Sequence, residues 1–404
     1  MNVLFYLFQN IDEASGSIGG IERHTLTLKK GLEPYGFKFF FAFSNHDEVS
    51  ELDYDKSLLI NSKTPISLIR LFIVKNKIDV IHVQQNDGSE MKIFKKAIEG
   101  LDNVRIVTTY HFCPGYELDD LTFHNAWVRF LQSHRLFQKI KWLRRFCLMP
   151  FYRYKKRTKM IAKFKLLYCY SKPLILLCDD YVERFSSFLS HDCRPNTRVI
   201  NNCTSFDDYY DPLRLDQKRK EVVIVSRLEE TYKRLSIAIN IWKRFQDEGI
   251  FQDWHLTIVG EGYSQRYYES LIKNIPNITM VGRQESKPYF ERSSIYLNTS
   301  KTEGWCLCCG EAMQMGAVPV SFSSWGAVYD IIDSDVNGFI IPDNDLETYY
   351  QKLVLLMSDD KLRHKMARAA IEKSQKFSKE KFLQQYIDVY SGKLSLTACK
   401  KRSN

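Results

Sequence analysis

The segment SIYLNTSKTEGWCLCCGEAMQMGAVPVSF, residues 294–322, holds one complete strand–loop–helix–strand unit. Its first part, residues 294–300, is apolar and predicts a buried strand. A polar loop follows, and then a helix is predicted from Leu307 to Gly316, because glycine is the usual residue just beyond a helix end. Residues 317–322 predict a second buried strand. This order is typical of an open α/β sheet, in which ligands bind beyond the carboxyl ends of the strands.

The same alternation of strands and helices extends outward through the whole chain of 404 residues. Buried strands are predicted at 3–8, 37–43, 79–84 and 104–111 in the first half, and at 221–228, 254–262 and 277–283 in the second. Helical sequence lies between them. The sequence therefore predicts the α/β class, with two Rossmann-like domains in tandem that face each other across a cleft.

Composition indicates where these domains meet. The polar stretch at 205–220 is typical of a linker, so we expect a first domain at 1–210 and a second at 211–380. The chain closes with a long amphipathic helical pattern, which we predict to be continuous except for a break near Phe377.

The net charge of +10 is concentrated in one segment. Residues 121–178 contain no Asp or Glu and fourteen Lys or Arg, whereas acidic residues outnumber basic ones in the rest of the chain. Cations alternate here with Trp, Phe and Tyr, which suits an anionic membrane surface. The alternative is a set of helices packed on the first domain with a solvated basic face. No known nucleic-acid-binding module accompanies the charge, so we expect no nucleic-acid partner.

Targeting and metal signals are weak. The first ten residues lack a basic region, which predicts no cleavable signal peptide, and no apolar run approaches the roughly 20 residues of a membrane span. The ten cysteines are scattered and no His-x3-5-His partner accompanies them, so we expect no metal site. A cytoplasmic chain with reduced thiols is the simplest interpretation.

Two glutamates, Glu303 and Glu311, flank three cysteines in the opening segment. A metal site, a thiol site, an acid–base pair and a ligand cradle are the alternatives. The unpaired amides of a helix start attract phosphate, while nearby carboxylates accept hydrogen bonds from sugar hydroxyls. A nucleoside diphosphate sugar offers both groups. The alternative without function is one glutamate that stabilises the helix dipole and a second on the surface.

The surrounding residues, 299–345, add a resemblance to a known family. The pieces EGWCL, EAMQMGAVPV, WGAVYDII and NGFII resemble the nucleotide-sugar-binding region of family-4 retaining glycosyltransferases, which have the GT-B fold. The resemblance implies that Glu311 holds the nucleotide ribose and that Glu303 meets the donor sugar. Backbone around Gly304, Trp305, Cys306 and Leu307 would hold sugar or phosphate. Cys306 departs from the family, which has glycine there.

Further residues match the family less closely. The segment VSRLEETYKRLSIAI, residues 225–239, resembles the family's diphosphate-binding segment, which implies that Arg227 and Lys233 stabilise the leaving group without a metal. Lys233 is preferred over Arg234. Taken alone, such cations are more often solvated surface charges.

In the first half, the loop that contains Gly19 and Gly20 resembles the family's N-terminal glycine loop near the diphosphate and acceptor. His111 matches a histidine that contacts the donor sugar, although a lone histidine is more often structural. Asn202 matches the family's interdomain asparagine only in part. The family's last helix crosses back to the N-terminal domain, which implies the same for residues 381–404.

The resemblance implies a bacterial retaining hexosyltransferase of capsule or lipopolysaccharide biosynthesis, peripheral on the inner face of the cell membrane. Its donor would be a UDP- or GDP-hexose and its acceptor a lipid-linked sugar or glycan. The alternatives are a GT-B sugar-nucleotide epimerase or hydrolase, and a non-catalytic membrane-binding protein on the same scaffold.

Overall fold

The computed structural model describes residues 1–8, 19–44, 56–61, 63–84, 88–119, 121–133 and 135–393. The chain divides into two compact units. The first comprises residues 1–200 together with 385–404, and the second comprises residues 201–384. The division falls ten residues before the end of the expected first domain. Residues 15–18 of the predicted glycine loop, residues 15–20, lie outside the described residues.

The first unit is built on a seven-stranded sheet in the order β3-β2-β1-β4-β5-β6-β7. All pairings among these strands are parallel. The strands are β1 (Asn2–Leu7), β2 (Lys38–Phe43), β3 (Ser57–Leu59), β4 (Val80–Val83), β5 (Arg105–Tyr110), β6 (Leu174–Leu176) and β7 (Thr197–Val199). Strands β1, β4 and β6 are apolar almost throughout and buried, as expected for a parallel sheet covered on both faces.

Eight helices accompany this sheet among the described residues. They are α1 (Gly20–Leu32), α2 (Ile66–Lys75), α3 (Ser89–Ala97), α4 (Tyr116–Asp119), α5 (Phe123–Gln132), α6 (Leu136–Cys147), α7 (Met149–Tyr170) and α8 (Asp179–Leu189). The basic segment therefore forms α5, α6 and α7. Helix α7 buries Met160, Phe164 and Leu167, whereas α6 buries none of its side chains.

The second unit is built on a six-stranded parallel sheet in the order β10-β9-β8-β11-β12-β13. Its strands are β8 (Arg219–Val225), β9 (His255–Val259), β10 (Ile278–Met280), β11 (Ser293–Asn298), β12 (Val318–Phe322) and β13 (Phe339–Ile341). The helices are α9 (Glu230–Lys233), α10 (Leu235–Asp247), α11 (Gln265–Ile272), α12 (Lys287–Arg292), α13 (Leu307–Gln314), α14 (Val328–Ile331), α15 (Leu346–Ser358), α16 (Asp360–Ser374) and α17 (Lys379–Tyr390). In both sheets the order reverses after the first strand, as in Rossmann folds. The predicted pair of Rossmann-like domains is confirmed.

The opening segment folds as its pattern predicts. Strand β11 is buried along its whole length, α13 begins at Leu307, and Gly316 takes the left-handed backbone, at φ 73°, just beyond the helix. The carboxyl end of β11 therefore leads directly into the amino end of α13.

The prediction of a continuous closing helix before Phe377 was wrong. The chain breaks at Asp359, whose carboxylate accepts a hydrogen bond from the Leu362 amide at 2.9 Å and so begins α16. The break near Phe377 is present and separates α16 from α17. The boundary between the units falls within α17, and its residues from Gln385 onward belong to the first unit.

Candidate functional site

The loop between β11 and α13 contains the densest group of predicted site residues. Cys306 is the residue before α13 and has left-handed backbone angles, φ 58° and ψ 71°. A residue with a Cβ is uncommon in this region, whereas glycine enters it without cost. The cysteine thus keeps the backbone conformation that the family's glycine would allow.

The side chain of Cys306 is turned toward β11. The Asn298 amide nitrogen donates to Cys306 Sγ at 2.9 Å, and the Tyr296 hydroxyl lies 3.6 Å from the same sulfur. Burial raises the pKa of the Cys306 thiol to about 12. The thiol is therefore neutral at physiological pH and is not a nucleophile.

Lys233 and Glu303 form an ion pair at this loop. Lys233 Nζ lies 2.5 Å from Glu303 Oε1, which also accepts a hydrogen bond from Ser300 Oγ at 2.6 Å. Burial disfavours the charged ammonium, but the Glu303 carboxylate more than offsets this, so the pKa of Lys233 is raised. The pair presents a charged lysine and a partly exposed carboxylate beside the start of α13.

Arg234 is engaged in holding loops together. Its guanidinium donates to the carbonyls of Thr299 and Ser300 at 2.9 and 3.2 Å. It also donates to Asp343 Oδ1 at 2.7 Å and to Asn344 Oδ1 at 3.0 Å. These contacts fix the end of β11 against the loop after β13, and Arg234 is thus a structural cation. Lys233, by contrast, holds a side chain predicted to meet the ligand.

Arg227 follows β8 and is largely exposed. Its side chain is 70% accessible, and Glu229 Oε2 lies 3.9 Å from its guanidinium. A long, weakly held cation of this kind can move toward an anion at small cost.

Glu311 is fully buried on α13. Ser205 Oγ donates to Glu311 Oε1 at 2.5 Å, and so links the helix to the segment that enters the second unit. Gln314, one turn further along, donates to the carbonyls of Phe206 and Asp208 at 2.9 and 2.8 Å. The hydrogen bond from Ser205 therefore holds the Glu311 carboxylate in a fixed orientation on α13.

Between the two glutamates, Trp305 anchors the loop. Its ring is 4% exposed and packs edge-on against Phe377, with ring centroids 5.2 Å apart. Gly304 precedes it, and the first amides of α13, at Leu307 and the residue after it, have no acceptor within the helix. Anchoring of Trp305 holds these amides at the carboxyl end of β11, where they can meet an anion.

In the first unit, His111 follows β5 and is buried. Its Nε2 lies 2.5 Å from Gln84 Oε1, so that Nε2–H donates to the amide. Burial lowers the pKa of His111 to about 3, and the ring is neutral at physiological pH. A neutral imidazole at a strand end suits hydrogen bonding to sugar hydroxyls better than proton transfer at pH 7.

His111 belongs to a larger buried polar network. His82 Nδ1 lies 2.6 Å from the Tyr390 hydroxyl, and His82 Nε2 lies 2.8 Å from Thr109 Oγ1. His24 Nε2 lies 3.0 Å from the Tyr386 hydroxyl, and the His24 ring is 4.7 Å from that of His111. Burial, and then the neighbouring histidines, hold the pKa of His24 and His82 well below the usual range. The network fastens α17 to the first unit.

The remaining predicted residues contribute backbone or lie apart. Gly19 precedes α1 with extended backbone, and Gly20 is the first residue of the helix, so both supply amides at its amino end. Asn202 is buried, and among the described residues its Oδ1 has no hydrogen-bond partner. Because His111, Gly19 and Gly20 lie in the first unit, they are described apart from the residues of the second.

Sequence reasoning missed the residues that hold the predicted ones. Ser205, Ser300 and Gln84 each contact a predicted side chain, and no local motif marks them. The sequence could have indicated His24, because it lies four residues after the predicted site residue Gly20 and therefore on the same side of α1.

The described part of the chain contains neither a metal-binding group of side chains nor a membrane-spanning helix. No group of three or more His, Cys, Asp or Glu could hold a metal ion there. In the same residues, no helix is both long and apolar enough to cross a membrane.

Comparison with known proteins defines the class of this fold. HepE from Anabaena, in complex with UDP and glucose, superimposes with a TM-score of 0.67 over 97% of this chain and 100% of that one, at 16% identity. The lipopolysaccharide outer core galactosyltransferase WaaB, in its apo form, gives 0.67 over 98% and 100%, at 15% identity. The two Rossmann-like domains therefore have the GT-B fold.

The match to a family model lies in the second half. Residues 205–373 match the family model described as Glycosyl transferases group 1. An uncharacterized glycosyltransferase of Haemophilus influenzae is 28% identical over 160 residues, which are 39% of this chain and 45% of that relative. The chain thus spans less than half the length of this curated relative.

Proposed function

We propose that this protein is a glycosyltransferase that uses a nucleotide diphosphate sugar and retains the configuration of the transferred hexose. The observation that carries the proposal is the Lys233–Glu303 ion pair, 2.5 Å long, beside the start of α13. It lies within the segment that matches glycosyl transferases group 1. A cation, a carboxylate and the amides at the start of a helix together suit a ligand with both phosphates and hydroxyls.

Each group has a distinct proposed role toward the donor. Glu303 accepts hydrogen bonds from hydroxyls of the sugar, and Glu311 accepts them from the ribose. Lys233 and the exposed Arg227 neutralise the diphosphate together with the amides around Trp305 to Leu307. Two cations and a set of oriented amides can balance the charge of a departing diphosphate, so we propose a metal-independent reaction.

The proposed step exchanges one bond of the sugar. The bond between the anomeric carbon and the β-phosphate oxygen breaks, and its electron pair leaves with the nucleoside diphosphate. The acceptor hydroxyl attacks the same face of the anomeric carbon, and its proton passes to the departing phosphate oxygen. No side chain of the site needs to act as a base, which agrees with the neutral His111 and the protonated Cys306 thiol.

The first unit would supply the acceptor side of the reaction. His111, held by Gln84, would contact the donor sugar, and the amino end of α1 at Gly19 and Gly20 would lie near the diphosphate and acceptor. We propose a lipid-linked or polysaccharide hydroxyl as the acceptor. This choice is supported by the basic aromatic segment, which suits work at the inner face of a bacterial membrane.

The second candidate is a sugar-nucleotide epimerase or hydrolase on the same scaffold. It would use the same donor groups and need no sugar acceptor. The third candidate, a non-catalytic scaffold, rested on Cys306. It is weakened because Cys306 keeps the left-handed backbone and its sulfur is bound to Asn298.

A donor screen separates these functions. The protein is incubated with UDP-, GDP- and ADP-hexoses, and nucleotide release is measured with and without lipid-linked acceptors. Release that depends on the acceptor supports transfer, and release without it supports hydrolysis. Lack of stabilisation by UDP, GDP and ADP in thermal-shift measurements would count against every nucleotide-dependent function.

A further inference from the structure

Helix α6 exposes an apolar stripe instead of burying one. Leu136 and Phe137 are 75% and 78% exposed, and Ile140 and Leu143 follow on the same side of the helix at 58% and 44%. None of the helix's residues is buried. We call Leu136, Phe137, Ile140 and Leu143 the α6 stripe.

The neighbouring helices extend this apolar surface. Phe146 of α6 packs against the rings of Phe123 and Trp127 on α5, at 5.4 and 5.7 Å, so α5 and α6 form one hairpin. Further large exposed apolar side chains lie on α5, between α6 and α7, and on α7, and these are Trp127, Leu131, Leu148, Phe151 and Tyr154. A group of this size within one helical segment indicates an interaction surface, whereas single exposed apolar residues are ordinary.

The same helix carries a dense set of cations. Arg135, Lys139, Lys141, Arg144 and Arg145 lie on or beside α6, and in the described part of the chain none of them forms an ion pair. Lys141 and Arg145 stand over the Trp142 ring, at 5.4 and 4.9 Å from its centroid. These cations border the apolar stripe without a carboxylate to neutralise them.

Other cations of the basic segment are used inside the fold. Arg153 donates to the carbonyls of Leu118 and Leu121 at 3.1 and 2.6 Å, and Lys156 pairs with Glu117 at 2.8 Å. The basic character of α7 is therefore partly structural. The cations without an ion pair and the exposed apolar stripe are therefore both on α6.

We infer that the protein docks on an anionic lipid bilayer with α6 lying in the plane of the interface. The α6 stripe enters the boundary between headgroups and acyl chains, and the bordering cations contact lipid phosphates. This refines the proposed membrane association and does not depend on the proposed sugar transfer.

The charge of α6 favours a bilayer over the other partners that could cover this surface. A second copy of the chain would bring like-charged α6 faces together, which is unfavourable. A nucleic acid would satisfy the cations but would leave Leu136, Phe137 and Ile140 in water, because its outer surface is phosphate. An anionic bilayer supplies both an apolar layer and negative charge.

The test measures sedimentation of the full chain with vesicles of phosphatidylglycerol and phosphatidylcholine, and with vesicles of phosphatidylcholine alone. We expect binding to the anionic vesicles that weakens with salt. The double variant Phe137→Ser, Ile140→Ser should lower the partition coefficient at least about tenfold. Lys139→Glu with Lys141→Glu should lower it at least about fivefold for each charge reversed.

Matched controls lie on the second unit. The first is Leu213→Ser, at a side chain that is 88% exposed, and the second is Lys243→Glu, at an exposed residue of α10. Both variants should bind vesicles as the parent does. Brominated acyl chains should quench part of the tryptophan fluorescence of the parent, through Trp127 and Trp142, and should not do so in the Phe137→Ser, Ile140→Ser variant.

Three outcomes would overturn the inference. They are absence of binding to anionic vesicles, equal binding by the α6 variants, and a parent dimer that the α6 variants convert to monomer. Thermal stabilisation by UDP, measured on the same proteins, keeps this test apart from the proposed function. A protein that responds to UDP and ignores vesicles refutes the docking alone, and the reverse result refutes only nucleotide use.

Discussion

Lys233 Nζ lies 2.5 Å from Glu303 Oε1, although Lys233 lies between β8 and α10 and Glu303 lies between β11 and α13. Ser300 Oγ holds the same carboxylate oxygen at 2.6 Å. The lysine is therefore charged and positioned before any ligand arrives. Pre-positioned charge stabilises a leaving group more effectively than a side chain that must reorganise.

Replacement of Lys233 by alanine should lower kcat about 100-fold or more and change donor affinity much less, because the ammonium would act mainly on charge that develops in the transition state. Steady-state kinetics with the preferred donor measure both quantities. Lys243→Ala, on an exposed residue of α10, is the control. An unchanged kcat in a folded Lys233→Ala protein would remove this role from the lysine.

Glu311→Gln should weaken UDP binding by about 1–3 kcal/mol, because an amide is a poorer acceptor for ribose hydroxyls than a carboxylate. The near-isosteric change keeps an acceptor for Ser205, so the fold should be preserved. Titration calorimetry with UDP gives the affinity. Glu372→Gln, on an exposed residue of α16, serves as the control, and equal affinity of both variants would refute contact between Glu311 and the nucleotide.

Much of the fold could be predicted from the sequence, because buried parallel strands are continuous apolar runs that alternate with helices. The strand before Glu303, the start of α13 at Leu307 and the left-handed Gly316 all follow from local pattern. The break at Asp359 was missed, since a single capping carboxylate interrupts an otherwise continuous helical pattern.

The partners of the site residues could not be predicted in this way. Ser205 is separated from Glu311 by 106 positions, and Tyr390 from His82 by 308. No local pattern records which loop meets which strand end. The family resemblance indicated that Glu311 matters, but only the fold supplies the hydroxyl that orients it.

Cys306 should be slow to alkylate. Burial raises the pKa of its thiol to about 12, so that very little thiolate is present at pH 8. Mass spectrometry after timed treatment with iodoacetamide should show the exposed Cys147 and Cys169 labelled first. Labelling of Cys306 at the same rate as these two residues would contradict the raised pKa of its thiol and its contact with Asn298.

The backbone of Cys306 gives a separate prediction. Cys306→Gly should fold and keep activity, because glycine enters the left-handed region freely, whereas Cys306→Val should lose stability by about 1–2 kcal/mol through strain at φ 58°. Urea unfolding of the two variants measures the difference. Equal stability of both would show that the loop relaxes to another conformation.

The histidine network of the first unit should make the protein sensitive to mild acid. Burial, and for His24 and His82 also the neighbouring rings, lower the pKa of His24, His82 and His111 in the folded state, while the unfolded chain binds protons below about pH 6.5. Stability is therefore complete above that pH and falls as the pH drops toward 5, with each histidine adding up to about 1.4 kcal/mol per pH unit.

Exchange of one histidine isolates this effect from that of the carboxylates. His24→Gln keeps a hydrogen-bonding group for Tyr386 and should reduce proton uptake on unfolding between pH 7 and 5 by about one proton. The slope of unfolding free energy against pH, from urea titrations, measures the uptake. If His24→Gln kept the parent slope, His24 would not be neutral in the folded protein.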